Sequence, residues 1–327
     1  MHSLRPATSR WLPWQVCLIL SACSAPSASH PTNIFGSDHR VTPPHAAPYT
    51  AIGRLDVGCT GTLVGRRLVL TAAHCVIDNA TGALKTNIDF FRPDFRAGAS
   101  TEQLSIKQVW AGTDKPEDDR LKDWAALLLA TQPSGNYGQL DLSSQVNAAQ
   151  LPYSTNLAGY SADRNEGKDP SVHLGCEVKE IVDGKLFHAC DGAAGVSGGP
   201  LFNQVDGRFT VVGVTVSEYR QGAANSVHRD TYSRDYANVA VPAGQFVAAV
   251  TQLKATVDAG QPEPTMPGVI VRVVGGGETP NPGIRHTAAD IAPLSRLVDS
   301  GDALTHVTGD LQGAARDLNS YALQAPL

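Results

Sequence analysis

One serine, one histidine and one aspartate, far apart in the chain, constrain its fold more than any bulk property. Ser197 lies in Gly195-Val196-Ser197-Gly198-Gly199-Pro200, His74 in Thr71-Ala72-Ala73-His74-Cys75, and Asp123 opens the apolar run Trp124 to Ala130. Glycines around a hydroxyl permit a tight turn and close approach of another molecule. They also let the backbone N–H groups of Gly195 and Ser197 point at one spot, where two donors hold a developing oxyanion. The small alanines before His74 leave room for an imidazole. A carboxylate at the mouth of an apolar run needs a partner, and an imidazole N–H suits it. Taken singly, each is also what a Gly-rich turn, a buried structural histidine or a solvated aspartate at a strand entrance looks like. Asp118 and Asp119 compete with Asp123, but they sit inside the charged loop Lys115 to Lys122. In the order His, Asp, Ser, the three together require a fold that closes long loops onto one point.

The rest of the chain supplies short strands for such a fold. Ala51 to Leu55, Thr60 to Val64, Leu68 to Leu70, Gln103 to Trp110, Cys176 to Val182, Lys185 to Ala189 and Phe209 to Val216 read as strands, broken by Gly, Pro, Asn and Asp. Asp183-Gly184 is a hairpin turn signal. The chain is 42% hydrophobic and 17% charged, with 31 Gly and 21 Pro among 327 residues, which favours an all-β sandwich or barrel. Phe246 to Leu253 has helical spacing, as does Ala303 to Ala322 with Leu304, Val307, Leu311, Ala314, Leu318 and Tyr321. No internal repeat is visible. The net charge of −5, with no basic block, argues against nucleic acid as a partner. The histidines at 45, 173, 188, 228, 286 and 306 show no ligand spacing such as H-E-x-x-H, so no metal or cofactor is expected.

Residues 1–22 read as a signal peptide: Arg5 and Arg10 precede the apolar stretch Val16 to Ala22, which is too short to span a bilayer. Leu20-Ser21-Ala22-Cys23 resembles a bacterial lipobox, which implies a lipid on Cys23, a membrane partner through that anchor, and an outer membrane lipoprotein facing the periplasm or the cell surface. An ordinary secretory signal, giving a secreted protein, is the alternative. Residues 23–33 then form a tether, 34–257 the folded domain and 258–327 a C-terminal extension. Past Cys17 and Cys23, four cysteines remain, an even number that suggests two disulfides in an exported chain. Four cysteines allow three pairings. No pair has the C-x-x-C spacing of a zinc site.

From Cys59-Thr60-Gly61-Thr62-Leu63-Val64 through Leu70-Thr71-Ala72-Ala73-His74-Cys75 the chain resembles the trypsin-like serine proteases, whose His, Asp, Ser order it shares. Ile34 to Arg40 and His188-Ala189-Cys190-Asp191 through Ser197 resemble the bacterial glutamyl endopeptidase branch. The resemblance covers about Ile34 to Leu253. It implies two packed six-stranded antiparallel β-barrels, chymotrypsin-like, to which the sequence adds a C-terminal helix and a partly helical tail. It also implies disulfides Cys59–Cys75 and Cys176–Cys190, each closing a loop of about 15 residues and contributing about 3 kcal/mol. The implied activity is that of a serine endopeptidase acting on proteins or peptides through an acyl-enzyme. In it His74 is the base, Asp123 its orienting partner, Ser197 the nucleophile, and Gly195 and Ser197 form the oxyanion hole. A surface-tethered binding protein on a protease scaffold, with lost or incidental activity, is the reading from another class.

The chain departs from this family in two places. Animal trypsins have an aspartate directly before the serine to receive a newly formed N-terminus; here Val196 stands there, and no Ile-Val-Gly-Gly segment exists. Glutamate-selective relatives have a histidine in the strand lining the specificity pocket; here the matching residue is Thr215, which weighs against cleavage mainly after Glu. Asp191 occupies the place of the trypsin specificity aspartate, which implies selection of Lys or Arg if it faces the pocket. Otherwise it belongs to the local His-x-Cys-Asp framework and faces elsewhere.

Overall fold

The computed structural model describes residues 32–275, except residues 101, 145, 147 and 221–230. The signal segment, Cys23 and the helix expected over Ala303 to Ala322 lie outside the described residues. Six strands form the first barrel: β1 (Ile52–Leu55), β2 (Thr60–Gly65), β3 (Leu68–Thr71), β4 (Phe90–Pro93), β5 (Leu104–Ala111) and β6 (Ala125–Leu129). Each pairs antiparallel with two others in the closed order β1-β2-β3-β6-β5-β4. Closure leaves no unpaired sheet edge along the barrel. Every residue of β2, β3 and β6 is buried, because both faces of these strands are covered. That explains why they read as continuous apolar runs rather than alternating ones.

The second barrel repeats the same order with β7 (Tyr153–Tyr160), β8 (Pro170–Val182), β9 (Lys185–His188), β10 (Pro200–Val205), β11 (Arg208–Arg220) and β12 (Tyr236–Pro242). Its closed order is β7-β8-β9-β12-β11-β10. The two barrels thus share a topology that no sequence repeat announces. Asp183 and Gly184 link β8 to β9 with φ of 48° and 76°, the left-handed pair that a tight hairpin requires.

Helix α1 (Val247–Asp258) buries Val250 and Leu253 in a hydrophobic core that includes residues of both barrels. The sequence reading ends the folded domain at residue 257, and beyond it the structure has one further paired strand. A further strand, β13 (Ile270–Val273), pairs antiparallel with β5 from Ala111 to Gln108. The packing therefore runs on to about residue 275. The short Val-Arg-Val pattern carried too little signal beside the surrounding Gly and Pro.

Candidate active site

The strand register sets His74 and Asp123 side by side. Strand β3 pairs with β6 so that Thr71 faces Ala125, which makes the residues leaving β3 neighbours of those entering β6. After Thr71 the chain makes a single 3-10 turn, Ala73–Cys75, in which buried Ala72 and Ala73 let His74 stand at the edge of the barrel. Asp123 is fully buried. Its Oδ1 accepts the backbone N–H of His74 at 2.8 Å, and its Oδ2 faces His74 Nδ1 at 2.8 Å. An ionised carboxylate only accepts, so Nδ1 carries the proton and Nε2 keeps a lone pair. Arg120 Nη1 lies 3.9 Å from the same Oδ2.

Ser197 reaches this point from the second barrel. Cys75 Sγ lies 3.8 Å from both His74 Nε2 and the Ser197 carbonyl oxygen, so the imidazole and the serine main chain flank one sulfur atom. That sulfur is bonded to Cys59, and Thr60, next in the chain, donates its N–H to the Ser197 carbonyl at 2.8 Å. The Cys59–Cys75 disulfide therefore links the histidine turn to the strand that holds the serine loop.

The serine loop is held by neutral hydrogen bonds. Thr60 Oγ1 donates to the Gly195 carbonyl, Gly198 N–H to Thr215, and Thr215 N–H to Gly199. Val196, where animal trypsins have a charged residue, is buried among Leu157, Cys176 and Cys190. Gly195 has φ of 97°, and a Cβ there would sit 2.6 Å from the Tyr160 carbonyl, so only glycine fits. The N–H groups of Gly195 and Ser197 have no acceptor among the described residues, whereas Val196, between them, donates to Ala193.

A cleft of about 310 Å³ opens beside Ser197, lined also by Arg120, Ala193, Thr215, Ser217, Glu218 and Asn238. Thr215 belongs to it. Asp191 is not among its lining residues. Its buried carboxylate accepts the N–H groups of Phe35 and His39, both at 2.9 Å, and faces His39 Nδ1 at 3.1 Å. It anchors the segment before the first barrel. Arg40, itself buried, completes that anchor with ion pairs to Asp38 at 2.9 Å and Asp163 at 2.6 Å. Burial pushes the Asp38 carboxyl up, but its hydrogen bonds and charge contact with Arg40 prevail and hold it at about 2. Thr32 and Asn33 then pair with Ala193 and Gly192 along the wall of the cleft.

Two histidines of this framework behave as its buried parts. His173 Nδ1 accepts the Asp191 N–H at 2.9 Å, and burial lowers its pKa although Asp191 pulls the other way. Complete burial takes His188 down to about 3. The second disulfide, Cys176–Cys190, ties β8 to the segment that leads into the serine loop. Sequence reasoning missed Arg120, Asn238 and the anchoring role of His39. No local motif marks them, because tertiary packing brings Arg120 and Asn238 to the cleft and His39 to Asp191.

The sequence profile of the trypsin family matches residues 37–240. Serine protease 23 of Homo sapiens is 28% identical over 193 residues, covering 52% of this chain and 48% of the relative. Glutamyl endopeptidase of Bacillus licheniformis is 28% identical over 188 residues, covering 55% of this chain and 58% of the relative. The chain thus spans about half the length of the curated relatives it matches. Among solved structures, a Glu endopeptidase in complex with MPD superposes with a TM-score of 0.56 at 21% identity, over 68% of this chain and 99% of that one, which shows the shared fold. With a family profile matched over most of its length and two closed six-stranded barrels of the same order, the chain belongs to the trypsin family.

Proposed function

We propose that the protein is a serine endopeptidase with His74, Asp123 and Ser197 as its triad. The observation that carries this reading is the buried Asp123, with one oxygen on the His74 main chain and the other on its Nδ1. That pairing leaves Nε2 as a base on the side of the glycine-bracketed serine. In the proposed reaction His74 Nε2 takes the Ser197 Oγ proton as Oγ attacks a peptide carbonyl. The oxyanion accepts from the Gly195 and Ser197 N–H groups. His74 then protonates the leaving amine, and water, deprotonated by His74, hydrolyses the acyl-enzyme. A fluorophosphonate is expected to label Ser197 covalently and to lose at least about 10³ in labelling rate on His74→Ala, because the hydroxyl is a weak nucleophile without its base. Undiminished labelling of the His74 variant, followed by mass spectrometry, would reject the assignment.

Export belongs to the same proposal. Two disulfides suit an oxidising compartment. No helix among the described residues is long and apolar enough to cross a membrane. The lipobox-like segment ending at Cys23 supports a lipid anchor, with protein or peptide substrates met outside the cytoplasm. Cys23→Ser is expected to move the protein from the membrane fraction to the soluble one. Wild-type protein without lipid on Cys23 by mass spectrometry would leave the ordinary secreted form.

A further inference from the structure

The cleft beside Ser197 includes two buried neutral polar side chains, Thr215 and Asn238, in its lining. Thr215 is buried, and its Oγ1 has no hydrogen-bond partner among the described residues. Its main chain is committed on both sides, donating to Gly199 and accepting from Gly198, so the hydroxyl is fixed relative to the serine loop. A buried hydroxyl left unpaired is costly, so a group that enters the cleft and reaches Oγ1 is favoured.

Asn238, from β12, lines the same cleft. Its Nδ2 donates to the carbonyl oxygens of Cys190 at 2.6 Å and Asn33 at 3.1 Å. Two carbonyl acceptors use both amide hydrogens and exclude the flipped orientation. Oδ1 is therefore left as an acceptor, and no donor among the described residues bonds it. The cleft thus offers one acceptor from Asn238 and one hydroxyl from Thr215, which donates or accepts.

The charged groups nearby do not alter this. Asp191 is turned away toward Phe35 and His39. Arg120 lies 3.9 Å from Asp123, on the imidazole side of the cleft, and Glu218 has an interaction of its own. A carboxylate entering the cleft brings no proton for Asn238 Oδ1, and Arg120, the lining cation among the described residues, lies beside Asp123. An ammonium or guanidinium group finds acceptors, but Glu218, the carboxylate lining the cleft among the described residues, already has an interaction elsewhere. A carboxamide satisfies both groups: its NH₂ donates to Asn238 Oδ1, and its carbonyl accepts from Thr215 Oγ1.

Resting on the reading of Ser197 as nucleophile, we propose that the cleft selects an uncharged carboxamide side chain, glutamine or asparagine, immediately before the cleaved bond. Thr215 and Asn238 are the specificity-determining residues. This separates the chain from relatives that cleave after glutamate, and from the Lys/Arg preference that Asp191 implies in sequence.

The test uses the purified full chain, a mixed peptide library read by mass spectrometry, and matched substrates with Gln, Asn, Glu, Lys or Leu at the deciding position. Gln or Asn is expected to exceed Glu and Lys in kcat/KM by at least about tenfold, the worth of one well-made hydrogen bond. Thr215→Val is expected to lower the carboxamide-to-Leu ratio by about tenfold, a readout independent of the amount of folded enzyme. Cleavage mainly after Glu that disappears on Arg120→Ala would overturn the proposal in favour of a cationic pocket. Cleavage mainly after Lys or Arg, or an unchanged ratio in Thr215→Val, would overturn it as well. Fluorophosphonate labelling separates the two readings. A labelled Ser197 without carboxamide preference defeats this inference alone, whereas an unlabelled Ser197 defeats the protease reading and this one with it.

Discussion

Asp123→Asn is expected to lower kcat by about 10⁴ while leaving the protein folded, as the same change does in other serine-protease triads. The replacement keeps an oxygen for the His74 backbone N–H, now held at 2.8 Å by Oδ1. What changes is the atom facing Nδ1. An amide nitrogen there donates, so Nδ1 must accept, and the ring proton moves to Nε2. The imidazole then cannot take the Ser197 proton. Arg120, 3.9 Å from Oδ2, loses a partially offsetting charge, but the other protein contacts of the carboxylate are isosteric. Asp119→Asn is the control: Asp119 is paired with Lys122 at 2.9 Å on the exposed loop and makes no contact with His74. It is expected to turn over peptide substrate within about twofold of wild type, in line with substitutions away from buried networks. Near-normal turnover in Asp123→Asn, with Asp119→Asn inactive, would mean that the wrong carboxylate is assigned.

The asymmetry between these two aspartates was readable from sequence because burial follows from local pattern. Asp123 precedes an unbroken apolar run, and such a run becomes a strand covered on both faces, here β6. Strands β2 and β3, the Asp183-Gly184 hairpin and α1 were legible for the same reason: their signals are local. Strand β4, Phe90-Phe91-Arg92-Pro93, is too short and ends in proline. Strand β10 begins with Pro200, and proline in a sheet is confined to first residues, edges and bulges. Strand β7 contains Asn156 and Gly159, and the glycine is explained by distant residues: a Cβ there would lie 2.7 Å from Thr60 Oγ1 and 3.1 Å from Val196 Cγ2. These strands exist because their neighbours complete the barrels, which no short window of sequence contains.

The site divides in the same way. The His74 turn and the Ser197 loop carry local marks, in alanines and glycines. The direction in which Asp191 points does not, since Phe35 and His39, more than 150 positions earlier, decide it. Family position alone assigns Asp191 to the pocket, but the hydrogen bonds assign it to the N-terminal segment. In the second barrel a buried carboxylate thus holds the segment preceding the fold, while the serine loop above it is fixed by neutral bonds from Thr60 and Thr215. Burying Val196 in place of a charged residue fits this arrangement, because no incoming amine is needed to hold the loop.

That dependence on neutral packing gives Gly198 the largest expected structural effect in the chain. Its φ is 84°, which an alanine adopts at a cost of about 1–2 kcal/mol. The larger obstacle is space: a Cβ at Gly198 would sit 2.1 Å from the Thr60 carbonyl oxygen and 2.2 Å from Thr71 Oγ1. Neither atom is free to retreat. Thr71 Oγ1 donates to that carbonyl at 2.7 Å, and Thr60 N–H holds the Ser197 carbonyl. Gly198→Ala must therefore displace the loop that carries Ser197, together with the Gly198 N–H bond to Thr215. The expected outcome is a loss of more than about 4 kcal/mol in urea unfolding, the range reserved for backbone clashes and broken buried networks, and no fluorophosphonate labelling. Gly207→Ala isolates the backbone contribution, since Gly207 has φ of 77° but nothing within 4 Å of a Cβ. It is expected to cost only about 1–2 kcal/mol and to label normally. If the two variants prove equally stable and equally reactive, the close approach of β2 and β3 to the serine loop does not hold, and the oxyanion geometry that depends on it fails too.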